Sequence, residues 1–250
     1  MHVPCVVPTH GRSKKVLTFD AIDDIILCVA ESQLPLYKET YPDAEYSVHP
    51  DSVVGLSAKR QWIYEEFGDV FMLDDDAVAL YDMTHEAGST EASKISPKRA
   101  RAMLDRLYTE AKDLGVYLWG FFQSSDPRMY GPQNPFKVTG YVLGGSIGLC
   151  AGSRIHFPKE INTIEDFWAA GLNAHYHRKI WVDRRYAFKF KDTFKGKGGC
   201  SQHRTIDVEK RGNEMLRKAF GTKVIIPKAP TPLTGVRHPG QRTFKSPFNK

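Results

Sequence analysis

Three carboxylates in a row, Asp74, Asp75 and Asp76, close the apolar run VFMLDDDAV at residues 70–78. Like charges that close repel each other and raise one another's pKa, so something must offset them. Water does so in a solvated loop; a divalent cation does so in a metal site. On an extended strand end Asp74 and Asp76 point one way and Asp75 the other. Two oxygen donors on one side suit Mg2+ or Mn2+, hard cations that take few protein ligands and leave positions for phosphate oxygens.

Other segments carry compatible chemistry. Lys59 and Arg60 fall in the first turn of a predicted helix over 55–68. Cations there oppose the helix dipole, and a bound anion relieves the conflict, as solvent or a pairing with Glu65 or Glu66 also would. Glu165 and Asp166 sit near the start of a helix predicted over 161–179. Acidic residues favour a helix start by themselves. The functional alternative is a general base that takes a proton from an attacking hydroxyl, with Trp168 stacking on a ring-shaped acceptor. The stretch GKGGCSQHR (196–204), with Lys195 just before it, joins flexible glycines to Lys197 and His203. Backbone N–H groups in such a stretch approach phosphate closely, and the His203 ring offers a third metal ligand. Cys200 and His203 lack the second ligand pair of a structural zinc site.

The elements that must position these residues alternate. Apolar runs at 2–10, 24–30, 46–50, 70–74, 116–122, 137–152, 180–190 and 223–227 read as strands, the run at 137–152 broken by Gly144-Gly145. Helices are expected at 55–68, 96–115, 161–179 and 208–221, that at 96–115 with Ser96 as cap and Pro97 at its first position. Residues 84–95 read as a polar loop. The alternation predicts an α/β domain with a mostly parallel central sheet flanked by helices. Ligands of such sheets sit at the C-terminal strand ends, which selects Thr9 to Arg12, Asp74 to Asp76 and the glycine pair. The expected organisation is one domain over 1–227 and a basic, Pro-rich arm over 228–250.

At 250 residues, 41% hydrophobic and 26% charged, the composition is that of a folded chain rather than a disordered one. No apolar run approaches the length of a membrane span, and no signal peptide is expected at the N-terminus. Four scattered cysteines fit reduced thiols in a cytoplasmic protein, host cytoplasm if phage-encoded. Charge is uneven: residues 184–250 hold 17 Lys and Arg against 4 Asp and Glu. A basic last quarter on an acidic body suits a polyanion such as nucleic acid, and suits a solvated tail equally well. Within it Arg242, Phe244, Lys245 and Phe248 interleave charge and aromatics as strand-binding arms do.

The order of the motifs resembles the GT-A class of nucleotide-sugar glycosyltransferases. VVPTHGR is similar to its opening V-P-[ST]-x-x-R, GLSAKRQ to its G-x-[SA]-x-x-R-N, and LDDD to its L-D-x-D. GYVLGGSIGLCAG and IEDFWAAG follow in the places of its acceptor strand and E-D pair. Gln61 stands where the class has Asn. Within the class, the compact size, LDDD and GKGGCS near a basic C-terminus resemble the phage TET-associated glycosyltransferases, which are linked to sugar addition on hydroxymethylated pyrimidines in DNA.

The resemblance implies a single GT-A-like domain and a hexosyl- or pentosyltransferase, by expectation inverting, that uses Mn2+ or Mg2+ and a nucleotide-sugar, UDP-sugar favoured. It places Thr9, Arg12, Lys59 or Arg60, and Asp74 at the donor and Asp76 at the metal. Asp166, or else Glu165, becomes the base. Gly144 and Gly145 border the acceptor, expected to be DNA. A nucleotidyltransferase that makes a sugar nucleotide, and a non-enzymatic nucleic-acid-binding protein, are the alternatives.

Overall fold

A computed structural model describes residues 1–84, 92–161, 163–191, 206–227 and 242–248. The chain first lays down β1 (Cys5–Pro8), β2 (Ile25–Ala30), α1 (Leu34–Thr40), β3 (Glu45–His49), α2 (Leu56–Phe67) and β4 (Val70–Leu73). Then come β5 (Ala77–Asp82), β6 (Ser93–Lys94), α3 (Pro97–Asp113), β7 (Leu118–Phe121), β8 (Phe136–Lys137) and β9 (Ser146–Leu149). The last elements are α4 (Glu165–Tyr176), β10 (Ile180–Asp183), β11 (Tyr186–Phe190), α5 (Ile206–Phe220), β12 (Ile225–Pro227) and β13 (Arg242–Phe244).

The main sheet has eight strands in the order β3-β2-β1-β4-β9-β7-β10-β8. Pairs β2/β3, β1/β2, β1/β4 and β7/β10 are parallel, whereas β9 runs antiparallel to both neighbours and β8 antiparallel to β10. A mixed α/β sheet flanked by helices therefore holds the site. Successive side chains of a strand face opposite ways, and the core follows that rule. Cys5 and Val7 of β1, with Phe71 and Leu73 of β4, join one buried cluster with Ala100, Leu104 and Leu107 of α3. Val6, Val70 and Met72 join the other with Ile63 of α2 and Ala169 and Leu172 of α4. Continuous apolar runs buried on both faces are what a covered parallel sheet requires.

Three features depart from the sequence expectation. The run 180–190 is two strands: Asp183 Oδ1 accepts from the Arg185 N–H at 3.0 Å, an Asx-type turn, and β11 leaves the main sheet to pair with β5. Residues 77–82, not expected as strand, form β5, the centre of a three-stranded sheet β11-β5-β6. The arm is described only at 242–248, where β13 pairs antiparallel with β12. Among the described residues no helix is long and apolar enough to cross a membrane.

Candidate active site

The sheet order reverses between β1 and β4. β1, β2 and β3 spread to one side, and the chain then returns to the other side of β1. Crossover connections diverge at such a point and leave a crevice beyond the strand ends. Thr9 follows β1 and Asp74 follows β4, so the sequence-predicted cluster stands at this crevice.

One half of the cluster is built around Asp75, a buried residue. Its Oδ2 accepts from the Thr9 hydroxyl at 2.7 Å, and its Oδ1 accepts from Arg12 Nη1 at 2.6 Å. The Thr9 hydroxyl also lies 2.8 Å from the Tyr37 phenol, which accepts from the Arg12 N–H at 3.1 Å. Lys59, buried in the first turn of α2, donates from Nζ to the Thr9 carbonyl at 2.6 Å. The loop after β1 is thus fixed from three directions by charge-assisted and neutral hydrogen bonds.

The other half is built around Arg60, whose side chain is 1% exposed. Nη2 donates to Asp74 Oδ1 at 3.0 Å, and Nε lies 3.4 Å from Glu165 Oε1. Its Nη1 is buried with no hydrogen-bond partner among the described residues. The Gly144-Gly145 turn threads between these carboxylates. A Cβ on Gly144 would stand 3.2 Å from both Asp166 Cβ and Glu165 Oε1; one on Gly145 would stand 3.3 Å from Asp74 Oδ2 and 3.0 Å from the Phe190 ring. The Asp74 N–H donates to the Gly145 carbonyl at 2.9 Å, and the Gly144 N–H reaches Asp166 Oδ2 at 3.4 Å. Only glycines allow backbone so close to two acidic groups.

The electrostatics are those of a cluster short of positive charge. Burial pushes the Asp74 carboxyl up to about 7; Asp76, Asp75 and Glu165 add to the shift and Arg60 opposes it. Burial, then the neighbouring Glu165 charge, pushes Asp166 up to about 6, although the Phe167 and Gly144 N–H groups favour its anion. Strong perturbation by burial plus a named charge partner, in a cleft, is the signature of a functional carboxylate.

The structure brings together Thr9, Arg12 and Lys59 in one half, and Arg60, Asp74, Glu165, Asp166, Gly144 and Gly145 in the other. Asp74 and Asp75 turn to different partners, as strand alternation predicts. Trp168 has its ring contacts elsewhere, edge-on to Phe220 at 5.1 Å and near His156 at 6.2 Å. Lys195, Lys197 and His203 lie outside the described residues. Tyr37 and Phe190 were not legible as site residues: Tyr37 lies on the short helix α1, and Phe190 arrives through β11, the part of the expected strand 180–190 that leaves the main sheet. Asp75 was legible only as the odd member of a D-D-D run.

Hard oxygen donors fit Mg2+ or Mn2+. Asp74 Oδ2 is not engaged by Arg60, half-buried Asp76 is two residues on, and the elevated Asp74 pKa marks a charge deficit that a dication would relieve. Among the described residues no three His, Cys, Asp or Glu side chains form a metal-holding group. Among the described residues Asp74 and Asp76 are the carboxylates that would hold a cation here.

The family model described as TET-associated glycosyltransferase matches residues 3–199. The chain belongs to that family. The site described above, from Thr9 to Asp166, lies within the matched span. Among solved structures, TarS from S. aureus is similar at 14% identity with a TM-score of 0.46, over 87% of this chain and 40% of that one. The present chain therefore spans less than half the length of TarS. No curated protein matches the sequence.

Proposed function

We propose that this TET-associated glycosyltransferase transfers a hexosyl or pentosyl group from a nucleotide-sugar, a UDP-sugar in the favoured case, to the hydroxyl of a hydroxymethylated pyrimidine in phage DNA. The observation that carries the reading is the Asp166 carboxylate. Its pKa of about 6 lies near neutral pH, where a general base combines availability with proton affinity. It stands beside the glycine turn, its Oδ2 3.4 Å from the Gly144 N–H.

In this reading Thr9, Arg12 and Lys59 shape the pocket for the nucleotide, joined by Lys195 and Lys197. Asp74, Asp76 and His203 would hold Mn2+ or Mg2+. The bound cation supplies stabilisation of negative charge on the departing nucleoside diphosphate. Asp166, with Glu165 as the lesser candidate, accepts the proton of the acceptor hydroxyl. The freed oxygen pair bonds to the anomeric carbon as its bond to the diphosphate oxygen breaks, which inverts that centre in one displacement. Gly144 and Gly145 keep the acceptor face open. A target base inside a duplex must leave the stack to reach such a crevice.

The test is sugar transfer to an oligonucleotide that carries 5-hydroxymethylcytosine or 5-hydroxymethyluracil, with a panel of nucleotide-sugars and Mn2+. The reading requires a mass gain of one sugar residue that depends on the hydroxymethyl group. No gain on either base with any donor refutes the DNA acceptor.

A further inference from the structure

A cavity among the described residues lies away from the carboxylates. It has a volume of about 430 Å3 and sits between the C-terminal end of α4, the end of α5 and the β12–β13 ribbon. That volume falls within the range of ligand pockets, roughly 300–1,000 Å3. Its floor is apolar, with Phe220 and the buried Phe244; its rim carries His175, Arg178 and the exposed Phe248. The Arg178 guanidinium lies 5.9 Å from the Phe248 ring centre, and beside it Arg154 covers the Tyr176 ring at 4.1 Å.

Two observations define what this cleft receives. The first is charge. The three segments that build it, 171–179, 219–225 and 242–248, contain no Asp or Glu, and Arg178, Lys223 and Lys245 are exposed on them. Arg242, also there, is ion-paired with Glu209 and contributes no free positive charge. The second is strain. Arg178 follows α4 with φ +70°, the left-handed conformation that glycine adopts at no steric cost. An arginine there gives up stability, and strain kept at a surface position points to a function for the side chain.

We infer that this cleft docks the acceptor strand next to the target base, with Phe248 as a stacking platform for a neighbouring nucleobase and Arg178, Lys223 and Lys245 on its phosphates. The inference rests on the DNA reading above and deepens it. Base-on-aromatic stacking with cations along the backbone is how single strands are held without sequence readout. The distance fits. Asp166 is in the first turn of α4 and His175 in the last, nine residues later. At about 1.5 Å per residue that is roughly 14 Å, the span of about four stacked nucleotides at 3.4 Å each. Of the aromatics and cations that the sequence placed on a strand-binding arm, Phe244 is buried and Arg242 is ion-paired with Glu209. Lys245 and Phe248 remain, completed by Arg178 from α4.

The test is fluorescence anisotropy of the full chain with a fluorescein-labelled single strand of about 16 nucleotides, over a salt series. The variants are Arg178→Gly, Phe248→Ala and Phe248→Trp. Arg178→Gly should keep or raise the melting temperature, weaken binding several-fold and lower the salt slope by about one. Phe248→Ala should weaken binding roughly tenfold, and Phe248→Trp should restore it. Wild-type affinity in Arg178→Gly and Phe248→Ala would remove the cleft from DNA binding while the DNA reading stands. Wild-type protein that binds no strand at low salt would overturn both. Normal DNA affinity together with loss of a dimer in light scattering would assign the cleft to a second copy of the chain instead.

Discussion

Arg60 donates to Asp74 at 3.0 Å while its Nε faces Glu165 at 3.4 Å. One buried guanidinium thus ties the end of β4 to the start of α4, so the aspartate run and the E-D pair move as a unit. Truncation at this position leaves buried carboxylates uncompensated. Arg60→Ala is expected to cost about 3–5 kcal/mol, read by urea denaturation. A loss below 1 kcal/mol would show that the carboxylates do not depend on it.

Asp166 has a folded-state pKa of about 6, above the ordinary aspartate value near 3.9. Between those values the native state binds more protons than the unfolded state, so this group's contribution falls as pH rises from about 4 to 6. At neutral pH its ionised form costs stability, on the order of 1–3 kcal/mol. Asp166→Asn is expected to raise the melting temperature at pH 7.5 relative to wild type and to show little difference near pH 4. An unchanged melting temperature at pH 7.5 would contradict the burial argument.

The same titration sets the pH profile of transfer. A base works when deprotonated, so kcat/KM is expected to fall below about pH 6, tenfold per pH unit, and to level off above. A profile flat down to pH 4.5 would remove Asp166 as the titrating group.

Gly144 has no room for a side chain on the face toward Asp166. Gly144→Ala displaces the carboxylates by a few tenths of an ångström, and small misplacements near reacting groups are costly. Its kcat is expected to drop about ten- to a hundredfold, with stability within about 1 kcal/mol of wild type.

Asp75 is expected to act on donor affinity, through Arg12 and Thr9. Asp75→Asn keeps the size and removes the charge-assisted bond to Arg12. The donor KM should rise about tenfold, with kcat nearly unchanged. An equal loss in kcat and kcat/KM would place Asp75 in the chemical step instead.

Much of this was legible in the sequence, for identifiable reasons. The covered strands β1, β2 and β4 are short apolar runs bounded by polar residues, and α3 carries its own start signal in Ser96-Pro97. The glycine pair and the aspartate run were visible as unusual local chemistry. What pairs with what was not visible. Arg60 could be read as a phosphate ligand or a surface cation, and only the fold turns it toward Asp74 and Glu165. The split of 180–190 escaped because its turn uses Asp183 and two arginines rather than glycine or proline. Trp168 was read as a stacking platform because it follows Asp166 by two residues. On a helix that spacing turns side chains to different faces, and its ring lies against Phe220.

The account rests on Asp166 as the group that takes the acceptor proton. Its most direct test is the sugar-transfer rate of Asp166→Asn at saturating donor, with nucleotide affinity measured on the same sample. A loss of about a hundredfold or more in rate at unchanged affinity is predicted; a wild-type rate would contradict it.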